Sequence, residues 1–354
     1  MIRKMKNNSF KMTFRGLFFI FMTMLFTPGI LSSAQEEFKV QGKVEGKIFT
    51  NFNTSLNKGD HSKSFELKRA YLGYSLKFAP YFSTKIRVDV GGAEFITPEI
   101  NNQYVFFKTA AVYYKKDRIM VGFGLQSTYQ FKVEEKLWGK RYIMPTMPDF
   151  QKFNFSADLG AAVVYKLDNF DFDVSFFNGQ GYKQFDADDA FRSSVGVTSY
   201  LFQKKVLLRA YGDYSTDSLH LASFTGLAGL RLKNFSFGAE YTYQKNYIYT
   251  DGHNRNGYSL FSQFNFTPRL GIWFRIDGVW SEFKELSSDN PDYESNIEYI
   301  NKWLKRDGLF SYSGVEYVIV PEYLTASLNY QHHTPDGTGN SSNDYIYFNI
   351  EVRW

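Results

Sequence analysis

From about Phe38 to Trp354 the chain is written in a two-residue rhythm. In KIRVDV, Ile86, Val88 and Val90 share one face while Lys85, Arg87 and Asp89 share the other. In RLGIWFRIDGVW, Leu270, Ile272, Phe274, Ile276 and Trp280 oppose Arg275 and Asp277. In the last segment Ile346, Phe348, Ile350, Val352 and Trp354 oppose Tyr347, Asn349, Glu351 and Arg353. Side chains of a strand alternate between its two faces, whereas a helix repeats every 3.6 residues, and no helical period is sustained here. Sixteen such segments can be counted, from 39–52 to 344–354, each with one apolar and one polar face.

The connections sort by length. Short ones at 79–81, 116–117, 168–169, 203–204, 233–234, 267–268 and 320–321 alternate with longer ones at 53–63, 92–104, 128–157, 179–190, 215–220, 246–256, 281–307 and 333–343. A soluble sandwich has no reason to sort its loops by end, whereas an outer-membrane barrel has short periplasmic turns, longer extracellular loops and an even strand count. The pattern therefore predicts an all-β, transmembrane antiparallel β-barrel of about sixteen strands, with both chain ends on the periplasmic side. Unpaired backbone amides are not tolerated in hydrocarbon, so the strands must close on themselves. The outward phase supplies aromatics at both ends: Phe78, Phe82, Tyr113, Tyr165, Phe170, Phe235, Phe266 and Trp354 near the short turns, and Phe52, Phe176, Tyr214, Tyr243, Trp280 and Tyr330 near the long loops. Such girdles mark the two membrane interfaces.

Composition sharpens the picture. Among 354 residues, 37 Phe, 26 Tyr and only 9 Pro argue against disorder, and 22% charged residues argue against a bundle of apolar helices. The net charge of +5 equals the five bases Arg3, Lys4, Lys6, Lys11 and Arg15, so residues 35–354 are formally neutral and carry no signature of a nucleic-acid partner. That basic stretch precedes the apolar segment Gly16 to Leu31 and the small residues Ser32, Ser33 and Ala34. The expectation is a cleaved signal peptide over 1–34, a barrel domain over 35–354, and export to the outer membrane of a Gram-negative bacterium. The chain has no Cys, so no disulfide stabilises it.

Four features together resemble the phosphate-selective porin O and P family of Gram-negative outer-membrane porins. They are FELKRAYLGYSLKFAPYFSTKIRVDVG near the start, MVGFGLQSTYQFKVEEKLWGKRY in the middle, VSFFNGQGY followed by acidic residues, and a last strand ending in an aromatic residue. The resemblance implies sixteen strands, a homotrimer, passage of phosphate, a third long loop folded into the barrel, and a terminal Trp354 read by the barrel-assembly machinery.

Candidate chemistry lies on the inward phase. Rings of charge set selectivity in a wide pore, and Arg can bind oxyanions bidentately. The candidate selectivity residues are Arg69, Lys85, Arg87, Asp89, Arg209, Asp213, Arg275 and Asp277. Arg87, Arg209 and Arg275 are foremost, each expected beside the acid two or four residues later: Asp89, Asp213 and Asp277. The same groups could instead be wall ion pairs that satisfy one another. In the third loop, 128–157, the candidates are Lys132, Glu134, Glu135, Lys136, Lys140 and Arg141. Loop 281–307 could form a short amphipathic helix or decorate the surface.

Enzymatic readings find little support. The five His are His61, His220, His253, His332 and His333, all in loops or at strand ends, and none is fixed beside a Ser as a nucleophile's base would be. Neighbouring His332 and His333 point to opposite faces of a strand, which disfavours a metal site with Asp336; Asp186, Asp188 and Asp189 read as a solvated acidic loop rather than a calcium site. No cofactor, metal or catalytic residue is expected. The function predicted is passive diffusion of small hydrophilic solutes across the outer membrane, with a mild preference for anions and phosphate. Alternatives are a specific channel for sugars stacking on Tyr71, Phe177, Tyr211 and Phe261, a transporter of hydrophobic compounds, and a closed structural or adhesive barrel.

Overall fold

A computed structural model describes residues 38–60, 62–92, 103–183, 190–216, 219–284, 293–337 and 339–354. The expected export segment, His61 and the acids Asp186, Asp188 and Asp189 lie outside the described residues. Sixteen strands close into one barrel, each antiparallel to its sequence neighbours, with the first sealed against the last. They are β1 (Gln41–Ser55), β2 (Lys63–Lys77), β3 (Phe82–Gly92), β4 (Gln103–Lys116), β5 (Ile119–Ser127), β6 (Ala157–Lys166), β7 (Phe170–Phe177) and β8 (Arg192–Leu201). The second half comprises β9 (Val206–Thr216), β10 (His220–Arg231), β11 (Phe235–Lys245), β12 (His253–Asn265), β13 (Leu270–Phe283), β14 (Gly308–Val320), β15 (Leu324–Pro335) and β16 (Asn343–Arg353). Among the described residues, α-helices interrupt two connections, α1 (Tyr129–Trp138) and α2 (Met147–Phe150) between β5 and β6, and α3 (Tyr293–Leu304) between β13 and β14, and a 3-10 turn at Tyr247–Tyr249 follows β11.

The closing seam pairs Lys47 with Arg353 and Asn51 with Asn349, so no edge is left to hydrocarbon. Outside, the exposed side chains are large and apolar: Leu72, Val112, Phe123, Val174, Phe224, Phe274, Leu328 and Phe348 among them. A soluble protein would not present such a continuous apolar band, whereas a lipid-facing wall requires it. The loop sorting holds with one exception. Pairing between β9 and β10 continues to Thr216 and His220, so the connection expected to be long over 215–220 is as short as the turns at the other end.

Two β-bulges change which side chains face the lumen. On β2 the ladder passes from Phe49–Arg69 to Thr50–Leu67, leaving Lys68 as the extra residue. On β4 it passes from Arg87–Thr109 to Val88–Phe107, leaving Lys108 extra. Each bulge shifts the strand's phase by one, and a shift of one exchanges its two faces. Tyr113, expected in the outer girdle, therefore faces inward, and Tyr114 takes its place against Phe82 with ring centroids 5.1 Å apart.

Candidate functional site

The connection from β5 to β6 crosses the lumen and docks on the far wall. Trp138, at the end of α1, meets Phe261 of β12 and Trp273 of β13 edge to face, at 5.4 and 5.6 Å. Leu137, Ile143, Met147 and Phe153 are fully buried in the same cluster with Leu207 and Leu227 of the wall. Glycines make the recess. A Cβ at Gly229 would lie 2.6 Å from Leu137, and one at Gly257 would lie 2.8 Å from Met147. Apolar burial of this extent stabilises docking by roughly 1.5–3 kcal/mol for each large side chain.

Wall cations then satisfy the loop's backbone carbonyls. Arg209 donates to the Tyr129 carbonyl at 2.9 Å, Arg231 to that of Lys136 at 2.9 Å, and Arg275 to that of Pro145 at 2.6 Å. Arg192 and Gln244 share the Phe153 carbonyl, while Arg255 donates to that of Gln151 at 2.8 Å. From the opposite side, Lys68 donates to the Ile143 carbonyl at 2.6 Å. The loop is thus tied to both halves of the barrel.

The expected arginine–acid pairs are redistributed. Arg275 does pair with Asp277, at 2.5 Å. Arg87 does not pair with Asp89: it binds Glu45 of β1, together with Lys85, while Asp89 takes Arg69 at 2.6 Å and the Tyr182 hydroxyl at 2.7 Å. Nor does Arg209 pair with Asp213: it makes a bidentate contact with Asp173 of β7 at 2.7 and 3.0 Å, and Asp213 pairs with Arg192 of β8 at 2.7 Å. The reason is geometric. Arg209 reaches Asp173 over Gly196 of the intervening β8, and Arg87 reaches Glu45 over Gly73 of the intervening β2, where the glycine leaves no side chain in the way. Arg209 and Arg275 are only 5% and 1% exposed, sealed beneath the loop. They anchor the loop; of the three foremost arginines, Arg87 faces open space.

The loop candidates divide in the same way. Lys132 is exposed, its ammonium 4.4 Å from the Tyr129 ring. Lys136 is exposed beside its captured carbonyl. Lys140 reaches across to Glu316 of β14 at 2.7 Å, where the Tyr142 hydroxyl also donates at 2.6 Å. Arg141 bridges Glu135 and Asp149, the latter at 2.7 Å. Burial opposes ionisation of Asp149, but the charges of Arg141, Lys108 and Arg69 outweigh it and hold the carboxyl below its ordinary range. Glu134 is buried against Glu240 of β11; burial and then the facing carboxyl push it well above its ordinary range.

Between the loop and the β1–β4 wall lies a cavity of about 540 Å³. Its side chains include Lys43, Glu45, Lys47, Phe49, Tyr71, Arg87, Lys108, Glu135, Arg141 and Arg353. Six cations line it against three carboxylates, the third being Glu322. Lys108 keeps the inward place that alternation from Val105 and Phe107 gives it; its ammonium donates to the Ser156 hydroxyl at 2.8 Å and stands 4.7 and 5.9 Å from the Tyr182 and Tyr71 rings. The sequence signal for both bulges is a break in phase. Apolar outward positions run Phe65, Leu67 and then Ala70, Leu72 on β2, and Val105, Phe107 and then Ala110, Val112 on β4.

Residues absent from the expectation hold the other mouth. Arg255 of β12 binds Asp307 at 2.9 Å, and its guanidinium lies 4.8 Å from both the Tyr247 and Trp303 rings. Trp303 thereby fastens α3 to the barrel, so the helical alternative for loop 281–307 holds and the helix is packed rather than decorative. Among the described residues no group of three or more His, Asp or Glu forms a metal site.

No protein-family model and no curated protein matches this sequence. Solved structures do. OmpT of Vibrio cholerae, expressed in the outer membrane, superposes with a TM-score of 0.61 at 12% identity, over 92% of this chain and all 100% of that one. The outer membrane channel DcaP of Acinetobacter baumannii gives 0.61 at 13% identity, over 92% and 100%. OprB of Pseudomonas putida gives 0.60 at 12% identity, over 89% and 94%. The fold is that of the outer-membrane β-barrels, and the expected outer-membrane location agrees with it.

Proposed function

We propose that this chain is an outer-membrane channel for passive passage of small hydrophilic solutes, leaning toward anions. The observation that carries the reading is the cavity beside the lumen-crossing loop, where six cations face three carboxylates. In a wide pore such an excess raises the local anion concentration and leaves cations the poorer partners. Arg87, Lys108 and Arg141 present donors for the oxygens of phosphate or a carboxylate, and phosphate is the anion the sequence resemblance favours. The fold neighbours include a protein named as a channel, and one of the OmpT structures is described as a trimer form. The proposal extends to a homotrimer, exported through a cleaved 1–34 segment and inserted by the barrel-assembly machinery. No catalytic step or cofactor belongs to it.

The aromatic residues expected to stack on sugars are otherwise engaged. Phe261 packs on Trp138, Phe177 sits in a buried cluster with Tyr129, and Tyr211 lies beneath Arg209. Only Tyr71 borders the cavity, so a sugar-specific channel is the weaker reading. The test is single-channel recording of the refolded mature protein under a KCl gradient. An anion-leaning reversal potential with block by added phosphate supports the proposal. A cation-leaning potential removes the anion preference, and absence of conductance from a heat-modifiable barrel removes the channel.

A further inference from the structure

Glu134 of α1 and Glu240 of β11 face each other where the loop meets the wall, 1% and 4% exposed. Neither finds any other partner: Glu134 Oε2 and both Glu240 carboxylate oxygens are buried and unsatisfied. Beside them Ser259, directly opposite Glu240 in the β11–β12 register and 0% exposed, has a hydroxyl with no partner either. The charged groups around the pair are already engaged. Arg275 is committed to Asp277 and the Pro145 carbonyl; Arg209 gives its two terminal nitrogens to Asp173, Thr198 and the Tyr129 carbonyl. Each arginine is matched by one carboxylate and only Arg209 Nε–H is left over, buried and without a partner, so no whole countercharge is free for the pair.

Two ionised carboxylates cannot share a dry site at hydrogen-bond distance; like charges so placed force one to keep its proton. We propose that Glu134 and Glu240 form a proton-binding site, in which one shared proton bridges the two carboxylates and holds α1 to the barrel wall. The O–H of one carboxyl donates to an oxygen of the other, and Ser259 is placed to donate to a remaining oxygen. When that proton leaves to water, two facing carboxylates remain buried, and α1 must lift or admit water. Acid therefore favours the docked loop and alkali releases it. The site exists whether or not the barrel conducts; only its effect on passage, a pH-dependent width beside the loop, rests on the channel reading.

Infrared titration of the refolded barrel in D₂O tests it, with heat-modifiable migration as the check on folding. The wild type should retain a carboxylic-acid C=O band well above the ordinary carboxylate range, and that band should vanish in both Glu134→Gln and Glu240→Gln. A second readout uses the absence of cysteine: Ala162→Cys, buried on β6 in the cluster with Tyr129 of α1, should react with a thiol reagent about tenfold faster for each pH unit above the pair's own pKa, after correction for thiol ionisation. In a Glu134→Gln background the amide donates to Glu240 at every pH, so this rise should disappear while the loop stays docked. An acid band unchanged in both Gln variants, or the same thiol profile with and without Glu134→Gln, overturns the site. Conductance enters neither readout, so failure of the channel reading would be seen separately.

Discussion

Arg275 shows how much one side chain holds in this barrel. It clamps Asp277, which is 0% exposed, donates to the Pro145 carbonyl, and lies 5.2 Å from the Trp138 ring. Removing one partner of a buried pair leaves an uncompensated charge, at a cost of about 3–5 kcal/mol. Arg275→Ala should therefore lower the unfolding midpoint sharply, whereas the double variant Arg275→Ala, Asp277→Ala should recover part of that loss; urea titration followed by gel migration measures both. Arg255 and Asp307 follow the same logic at the α3 mouth, where the guanidinium is 1% exposed.

At the scale of the element, the lumen-crossing loop is held by an apolar seam with polar ties at its ends. Leu137→Ala empties a fully buried site between α1 and β9–β10, and large-to-small changes of this kind cost about 2–5 kcal/mol. Since the barrel closes without the loop, we expect faster hydrogen exchange across 129–153 with little change in the strand ladder. The loop's acids also set a pH window. Asp149 is held below its ordinary value of 3.8, so its contribution is present above that pH and is lost as pH falls through its lowered value. Glu134 is held above its ordinary value of 4.5, so its contribution is present at low pH and is lost as pH rises through its raised value. Hydrogen exchange of the loop should be slowest between these limits and faster on either side.

For the whole molecule, two surfaces of opposite chemistry are carried by one alternating sheet. Outside, Phe274 is exposed on the apolar band, and Phe274→Arg at mid-membrane should cost roughly 2–4 kcal/mol, read as reduced assembly into bilayers. Inside, Arg87 faces the cavity, so Arg87→Glu should move the reversal potential toward cations. Arg209→Glu should instead disrupt loop docking, because that residue is sealed against Asp173 and the Tyr129 carbonyl. An unchanged potential in Arg87→Glu would show that solutes do not pass this part of the wall.

The sequence by itself determined the strand count, the antiparallel order, the lipid-facing set apart from the stretch of β4 beyond its bulge, and the side on which the chain ends meet, because each follows from a period-two pattern and from loop lengths. It also determined that charge lines the interior. Which charge meets which was decided only by the tertiary structure: ion pairs run across strands, Arg209 to Asp173 over β8 and Arg87 to Glu45 over β2, in combinations that alternation does not specify. The bulges at Lys68 and Lys108 were legible as phase breaks, yet their consequence, Lys68 joining Lys108 inside and Tyr113 turning inward, depends on how neighbouring strands resume pairing. The separation of sealed arginines from open ones came from the loop's docking alone. That choice rests on complementary shape, Leu137 over Gly229 and Met147 over Gly257, and shape is a property of packed surfaces rather than of any linear pattern.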